Sequence, residues 1–471
     1  MISVILITEV LFIFENENLI NNPNMKNLIR LLSLFTITGF ILTSCEGPMG
    51  PAGKDGLAGL DGKDGIDANE TCKECHNPNV VEKVALEFEF SKHSLGEAAE
   101  EETGNASCAP CHESEGFKYV IKNNIPATFV ANASGVYANQ YAATASTAFG
   151  PIGCFTCHSS LHTTYEGTNF SPLTTTAAVP MTMWAGTKTI NLSQKGGSSN
   201  LCIRCHQPRP FTRSNTTDKN VLDYAGLITN PTAVFYDVAQ ANSLNVLKPG
   251  YRTHTHYGTI GAIFAGQGGV EFGTGYSNSQ HTTVAACQDC HMASVTSSTT
   301  NGLSGGHTFK TIGNFSGCNV TGCHSTTPIT AATTTKYWKQ TRDAVKAQLN
   351  SLAAKLTIGG VDILNRNGDS ESNLWYGLTT NNYDGYLNIY DPSSNPDGAT
   401  YNTTTFQNPS PGSSWTQAQK DFNLTLPLIT LTNAQMGAII NFQLCLREYS
   451  LGIHNTAYST TLLANSIAAL P

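Results

Sequence analysis

Five segments of the chain repeat one pattern, Cys-x-x-Cys-His: Cys72-Lys-Glu-Cys75-His76, Cys108-Ala-Pro-Cys111-His112, Cys154-Phe-Thr-Cys157-His158, Cys202-Ile-Arg-Cys205-His206 and Cys287-Gln-Asp-Cys290-His291. Two thiols three positions apart lie on one side of a helical turn, and the next residue aims an imidazole past them. This is the attachment pattern of c-type haem: both thiols form thioethers to the porphyrin and the His is the proximal iron ligand. A chain holding several such groups must fold around them, so the repetition constrains the architecture more than any local propensity. Zinc sites use Cys-x-x-Cys in pairs and have no need of a His after every second Cys. Thioredoxin-like motifs need a strand-then-helix setting that is missing here.

A sixth segment, Cys318-Asn-Val-Thr-Gly-Cys323-His324, carries two extra residues between its thiols. It is expected to bulge, bring both sulfurs to one porphyrin and hold a sixth haem c. The alternative is a free thiol pair or a single-thioether haem; an empty site would leave five haems.

Ligand arithmetic points the same way. The chain has 13 His. Setting aside the six after each second Cys (His76, His112, His158, His206, His291 and His324) leaves His93, His162, His254, His256, His281, His307 and His454 for six distal positions. His254 and His256 alternate in an extended Thr-His-Thr-His segment and so face opposite ways; at least one is expected to ligate. Met181 and Met183 could ligate iron and raise its potential, but enough His are present and apolar packing is the expectation. Of the 14 Cys, twelve belong to the six motifs and Cys445 reads as a buried thiol in an apolar helix. No catalytic Ser/His/Asp set, phosphate loop or His-Glu-x-x-His motif is present.

The fourteenth Cys reports on location. Residues 1–24 read as an upstream start-site extension, with Met25 as initiator. Residues 25–44 then read as an export signal: a short positive start, an apolar stretch from Leu31 to Leu42 and small residues before Cys45. Leu42-Thr43-Ser44-Cys45 looks like a bacterial lipobox, with a plain membrane anchor as the alternative. Cys45 would carry lipid at an outer membrane, facing the surface or the periplasm. Residues 45–67 place Gly at every third position from Gly47 to Gly65, the collagen register. So few triplets suit an extended tether better than a short trimerising stalk.

The body divides in sequence into a motif-bearing segment, 68–327, and a helical segment, 328–471. In the latter, Trp338, Val345, Leu349, Leu352 and Leu356 recur at helical steps. Thr432-Asn433 can cap a second helix from about Ala434 to Tyr449, and a third runs from about Asn455 to Leu470. Between Gly359 and Ser413 the Asn-Gly, Asp-Gly and Asn-Pro pairs mark an irregular insertion. Charged residues are only 13% of the chain, against about 25% in typical soluble proteins. A net charge of −8 with no basic patch argues against a nucleic-acid partner. No run of about 20 apolar residues interrupts the body, which excludes a multi-span membrane protein.

At these residues the chain resembles the multihaem c-type cytochromes of bacterial respiration. Three further features carry the likeness: Cys287-Gln-Asp-Cys290-His291-Met292-Ala, close to a Cys-x-x-Cys-His-Met-Pro form; Gly306-His307-Thr-Phe309, where the family's His is a distal ligand; and Gly452-Ile-His454-Asn455, similar to a Gly-x-His-Asn-Pro segment whose His returns to a haem. The lipobox and Gly-rich tether resemble those of surface decahaem lipoproteins of metal-reducing bacteria, which carry more haems. Among enzymes, pentahaem nitrite reductases are most similar, but they commonly place a Lys proximal to the catalytic haem, and every motif here ends in His. Thr456 stands where the family has Pro.

The resemblance implies a mainly α fold with extensive irregular loops, a multihaem cytochrome c fold organised around stacked haems, with a helical C-terminal region returning His454. It implies an electron-transfer protein rather than an enzyme, with six mostly bis-His haems used in extracellular respiration. Other cytochromes, an outer-membrane conduit or an extracellular acceptor would be its partners, and self-association into a filament is a variant. The alternatives are an oxidoreductase acting on a small nitrogen or sulfur compound at one open iron, and a haem-bearing surface scaffold on the collagen-like stalk.

Overall fold

Thr432 begins the element around which the rest is arranged. Its side chain accepts from the Gln435 amide at 3.2 Å while the Gln435 side chain accepts from the Thr432 amide at 2.8 Å. This reciprocal pair satisfies two amides that a helix start would otherwise orphan, and the helix runs Asn433–Arg447. All fifteen of its residues are buried. A helix surrounded on every side needs partners for its polar side chains, and it has them. Asn441 pairs with both the amide and the carbonyl of Val270 at 2.7 Å and donates to Ser466 Oγ. Gln443 accepts from the Thr255 amide and donates to the Gly385 carbonyl. Arg447 donates to the Thr255 carbonyl and lies over the Tyr257 ring. Two further helices flank it, Gln340–Lys355 and Thr456–Ala469. The second is capped by Asn455, whose side chain accepts from the Tyr458 amide.

The structure is a computed structural model that describes residues 81–95, 108–123, 129–131, 137–139, 150–158, 178–184, 188–192, 198–208, 222, 224–236, 255–330, 335–358, 361–364, 385, 387 and 431–471. The leader, Cys45 and its tether, the Cys72-Cys75-His76 motif, His162, His254 and most of the 359–413 stretch lie outside the described residues. Residues Ile66–Pro471 form one compact unit, and the 68–327 and 328–471 segments both lie within it.

The larger apolar cluster joins the three long helices through Leu349, Leu352, Ile439, Ile440, Leu462 and Leu463, and draws in Phe235, Ile263, Val270 and Phe272 from the motif-bearing segment. Each such side chain is worth about 1.5–3 kcal/mol when fully buried. A smaller cluster holds Val179, Met181, Ile190, Ile203, Ala262 and Phe264. Met181 is buried there and Met183 in the larger one. Cys445 is fully buried on the Asn433–Arg447 helix.

Outside the long helices the described chain consists of short helical turns, loops and five two-stranded antiparallel ribbons. One ribbon ties Val234–Tyr236 to Leu431–Thr432, immediately before the central helix. Among the described residues no helix is long and apolar enough to cross a membrane.

Candidate haem-ligand site

Each described motif folds as a single turn. His112, His158 and His206 donate their amides to the carbonyls of Cys108, Cys154 and Cys202 at 3.1, 2.9 and 3.0 Å, and Cys287–His291 is one short helix. The longer sixth motif closes in the same way: the His324 amide donates to the Cys318 carbonyl at 3.0 Å. Its two extra residues are taken up within the loop, where Gly322 adopts a φ of +87°. The span from first Cys to His is thus closed as in the described shorter motifs.

The imidazoles come together in pairs, each joining one motif His to one His from elsewhere. His206 faces His93 with ring centres 5.8 Å apart, His112 faces His256 at 6.1 Å, and His158 faces His307 at 6.3 Å. His324 faces His281 at 6.2 Å and His291 faces His454 at 6.2 Å. A metal–imidazole bond is about 2.0–2.1 Å and the ring centre lies about 1.2 Å behind the nitrogen, so two rings on opposite sides of one metal have centres about 6.4 Å apart. All five separations fall close to that figure. Of Thr-His-Thr-His, His256 is placed against a motif His. His76, His162 and His254, the three imidazoles not in these pairs, lie outside the described residues.

Hydrogen bonds fix which nitrogen of several rings carries the proton. His256, His281 and His291 place Nδ1 at 2.8, 2.9 and 2.9 Å from the carbonyls of Tyr257, Ile453 and Phe309. A carbonyl only accepts, so Nδ1 carries the proton and Nε2 presents its lone pair, the arrangement that a hydrogen-bonded Nδ1 imposes on metal-bound His. His454 Nδ1 lies 2.5 Å from Glu448 Oε2. His158 Nδ1 is buried with no hydrogen-bond partner, an orphan that the protein itself does not explain.

Burial disfavours the charged form of five of these imidazoles. It pulls His206 down to about 3, assisted by His93, His291, His454 and His112. His93, His291, His307 and His324 are also lowered, in each case by burial first. His454 goes the other way: burial lowers it, but the Glu448 carboxylate outweighs burial and the net shift is upward. A neutral imidazole is the form that binds metal.

The thiols are likewise grouped across motifs. None of the eleven described cysteines is in a disulfide. Cys111 Sγ lies 3.8 Å from the Arg204 carbonyl and Cys205 Sγ 3.9 Å from that of Pro110. The Cys202 and Cys287 thiols share a hydrogen bond that draws Cys287 down and pushes Cys202 up, and the Cys287 amide donates to Ser199 Oγ. Cys290 and Cys318 are bonded in the same manner. The His112/His256, His206/His93, His291/His454 and His324/His281 pairs therefore form a continuous series. The His158/His307 pair joins it at His93, because Phe309 lies 4.8 Å from His93 and 5.9 Å from His307.

Two residues of this site, Glu448 and Glu87, carry no sequence signal of their own, and Phe309, part of the Gly306-His307-Thr-Phe309 feature, has a structural role that the feature does not announce. Glu87 accepts from the His307 amide at 3.1 Å and lies 4.0 Å from its Nδ1. Phe309 has a left-handed φ of 55°, which turns its carbonyl to His291 and its ring between His93 and His307. Gly261 allows the Ile260–Phe264 helix to sit directly on a motif; a Cβ there would meet Ile203 Cγ2 at 2.7 Å and the His206 carbonyl at 2.9 Å.

Among the described residues no group of three or more His, Cys, Asp or Glu is placed to hold a metal ion. Two imidazoles would suffice to hold a haem iron, because the porphyrin would supply the remaining donors. Thiols and paired imidazoles are donors of the kind that haem c takes. No family model, curated protein or solved structure matches the chain.

Proposed function

We propose that this chain is a multihaem c-type cytochrome that carries electrons at the cell envelope or outside the cell. The observation that supports it is the set of five imidazole pairs, each one motif His with one distant His, at 5.8–6.3 Å. The bound haems would supply one-electron exchange between ferric and ferrous iron. The chain's own residues hold, orient and enclose them. Cys108/Cys111, Cys154/Cys157, Cys202/Cys205, Cys287/Cys290 and Cys318/Cys323 would anchor five, and Cys72/Cys75 with His76 the sixth, facing His162 or His254.

Two imidazoles at each of the five described positions would leave no coordination place there for a substrate, which supports a carrier over an enzyme. The series of pairs has surface at its ends. Cys323 is exposed beside the exposed Val320, and Cys154 beside the exposed Phe155; these are the places for exchange with a donor or acceptor. Lipidation at Cys45, the tether, an outer-membrane location and cytochrome or extracellular partners belong to the same proposal.

The test is intact mass with a haem assay on the exported protein, followed by low-temperature EPR. Six haems and purely low-spin ferric signals are expected. Fewer than five haems refutes the reading. A substantial high-spin fraction with turnover of nitrite or hydroxylamine would replace it by the oxidoreductase alternative.

A further inference from the structure

We infer that Glu448 is a tuning residue that gives the His291/His454 position the lowest reduction potential of the five described. The inference rests on the haem reading above.

Glu448 follows the last turn of the central helix and is fully buried. Burying a carboxylate is costly unless it is paired and hydrogen-bonded, and this one is held by a tight turn of its own making. Ser450 Oγ donates to Oε2 at 2.6 Å, the Gly452 amide donates to Oε1 at 2.8 Å, and His454 Nδ1 donates to Oε2 at 2.5 Å. Three donors converging on two oxygens define an ionised acceptor. The turn is also what sets the His454 ring, since Ser450 Oγ accepts from the His454 amide at 3.0 Å. Glu448 therefore both positions the ligand and polarises it.

The comparison with the other rings is internal to the protein. His256, His281 and His291 give their Nδ1 protons to neutral carbonyls. A full negative charge at 2.5 Å draws that proton further, enriches Nε2 in electron density and favours the more positive, ferric iron. His307 has a weaker form of the same device, with Glu87 at 4.0 Å. The Glu448 charge also acts on Arg342.

The position has a spectroscopic label. The His291 and His454 ring planes are 22° apart, the most nearly parallel of the five pairs, and parallel imidazoles give the most rhombic low-spin EPR signal. Redox titration of the full-length holoprotein, followed on that signal, reads the potential directly. His454→Ala converts that component to high spin and assigns it.

Glu448→Gln keeps an acceptor oxygen for Nδ1 and removes the charge. The component is expected to move to higher potential by a factor of about ten in the ferric-to-ferrous ratio, about 59 mV for one electron. Glu87→Gln is expected to move the His158/His307 component less. If Glu448→Gln does not mature, Ser450→Ala carries the test: losing one competing donor concentrates charge on His454, and the component is expected to move downward.

Six haems with an unmoved component in Glu448→Gln, or an unmoved or upward-moving one in Ser450→Ala, overturn this inference alone. A wild-type chain without haem overturns the function it rests on, and the inference with it.

Discussion

Gly452→Ala tests whether the turn that presents His454 is as tightly determined as its geometry indicates. Gly452 has a φ of +89°, and a Cβ built there would lie 2.6 Å from Val345 Cγ2. Val345 is fully buried on the Gln340–Lys355 helix, so it cannot swing into solvent. Two costs add. Holding an L-residue in the left-handed region costs about 1–2 kcal/mol, and forcing a methyl into a packed contact typically costs about 1–3 kcal/mol. Their sum, about 2–5 kcal/mol, is a large share of the 5–15 kcal/mol that ordinarily stabilises a domain.

Gly275→Ala separates the terms. Its φ is +88°, but a Cβ there meets nothing within 4 Å, so only the backbone cost of about 1–2 kcal/mol is expected. Urea unfolding monitored by far-ultraviolet circular dichroism gives the midpoints, and EPR gives the spin state of the haems. Gly452→Ala should lower the midpoint more than Gly275→Ala and convert one low-spin haem to high spin; Gly275→Ala should convert none. Adding Val345→Ala removes the clashing methyls, so the double variant should lose less than the two single losses combined. Equal midpoints for the two glycine variants, or strict additivity with Val345→Ala, would refute the packing argument.

Other expectations concern the sites themselves. Cys318→Ser with Cys323→Ser should lower the haem count by one in intact mass; an unchanged count would mean that the sixth motif is empty in the native protein. The steep ring angles of His206/His93 (71°), His324/His281 (75°) and His112/His256 (61°) should give strongly anisotropic low-spin signals. His158/His307 at 35° should lie closer to the rhombic His291/His454 signal, and a spectrum of uniform rhombic signals would contradict the angles. Acid should weaken the fold. The folded state holds His206 at about 3, chiefly by burial, so an unfolded chain takes up a proton that the fold refuses. That contribution is complete above about 6.5 and is lost as pH falls towards 3, and a proton on Nε2 also excludes the metal. Urea midpoints measured downward from pH 7 should decline, with a shallower decline in His206→Gln.

What the sequence makes legible is what is local. A thioether pair and its proximal His must be neighbours in the chain, so all six motifs can be read directly. Helix ends are equally local: Thr432 with Gln435, and Asn455 with Tyr458, cap helices within a residue or two of where periodicity and capping residues put them. Thr456 replaces a Pro that would suit the first helical position, and its hydroxyl donates to the Gly452 carbonyl at 2.8 Å, so the turn is kept by other means. The distal pairing is not local. His256 reaches His112 only because Thr255 and Thr259 are bonded to Gln443 and Leu444 on the central helix, and nothing in Thr-His-Thr-His reveals that. Glu448 escapes notice for the same reason, since an acidic residue after a helix ordinarily faces water.

The segment from Gly305 to Phe309 has a further consequence. Within five residues it offers His307 to one pair, a ring that bridges that pair and His93, and a carbonyl that orients His291. The three positions are therefore not separable parts. A substitution meant to delete one of them is felt at the other two, and a fragment cut to isolate one motif would lose a neighbour's support. Such a chain can be lengthened at its ends by adding motifs, but its middle can only be exchanged as a block.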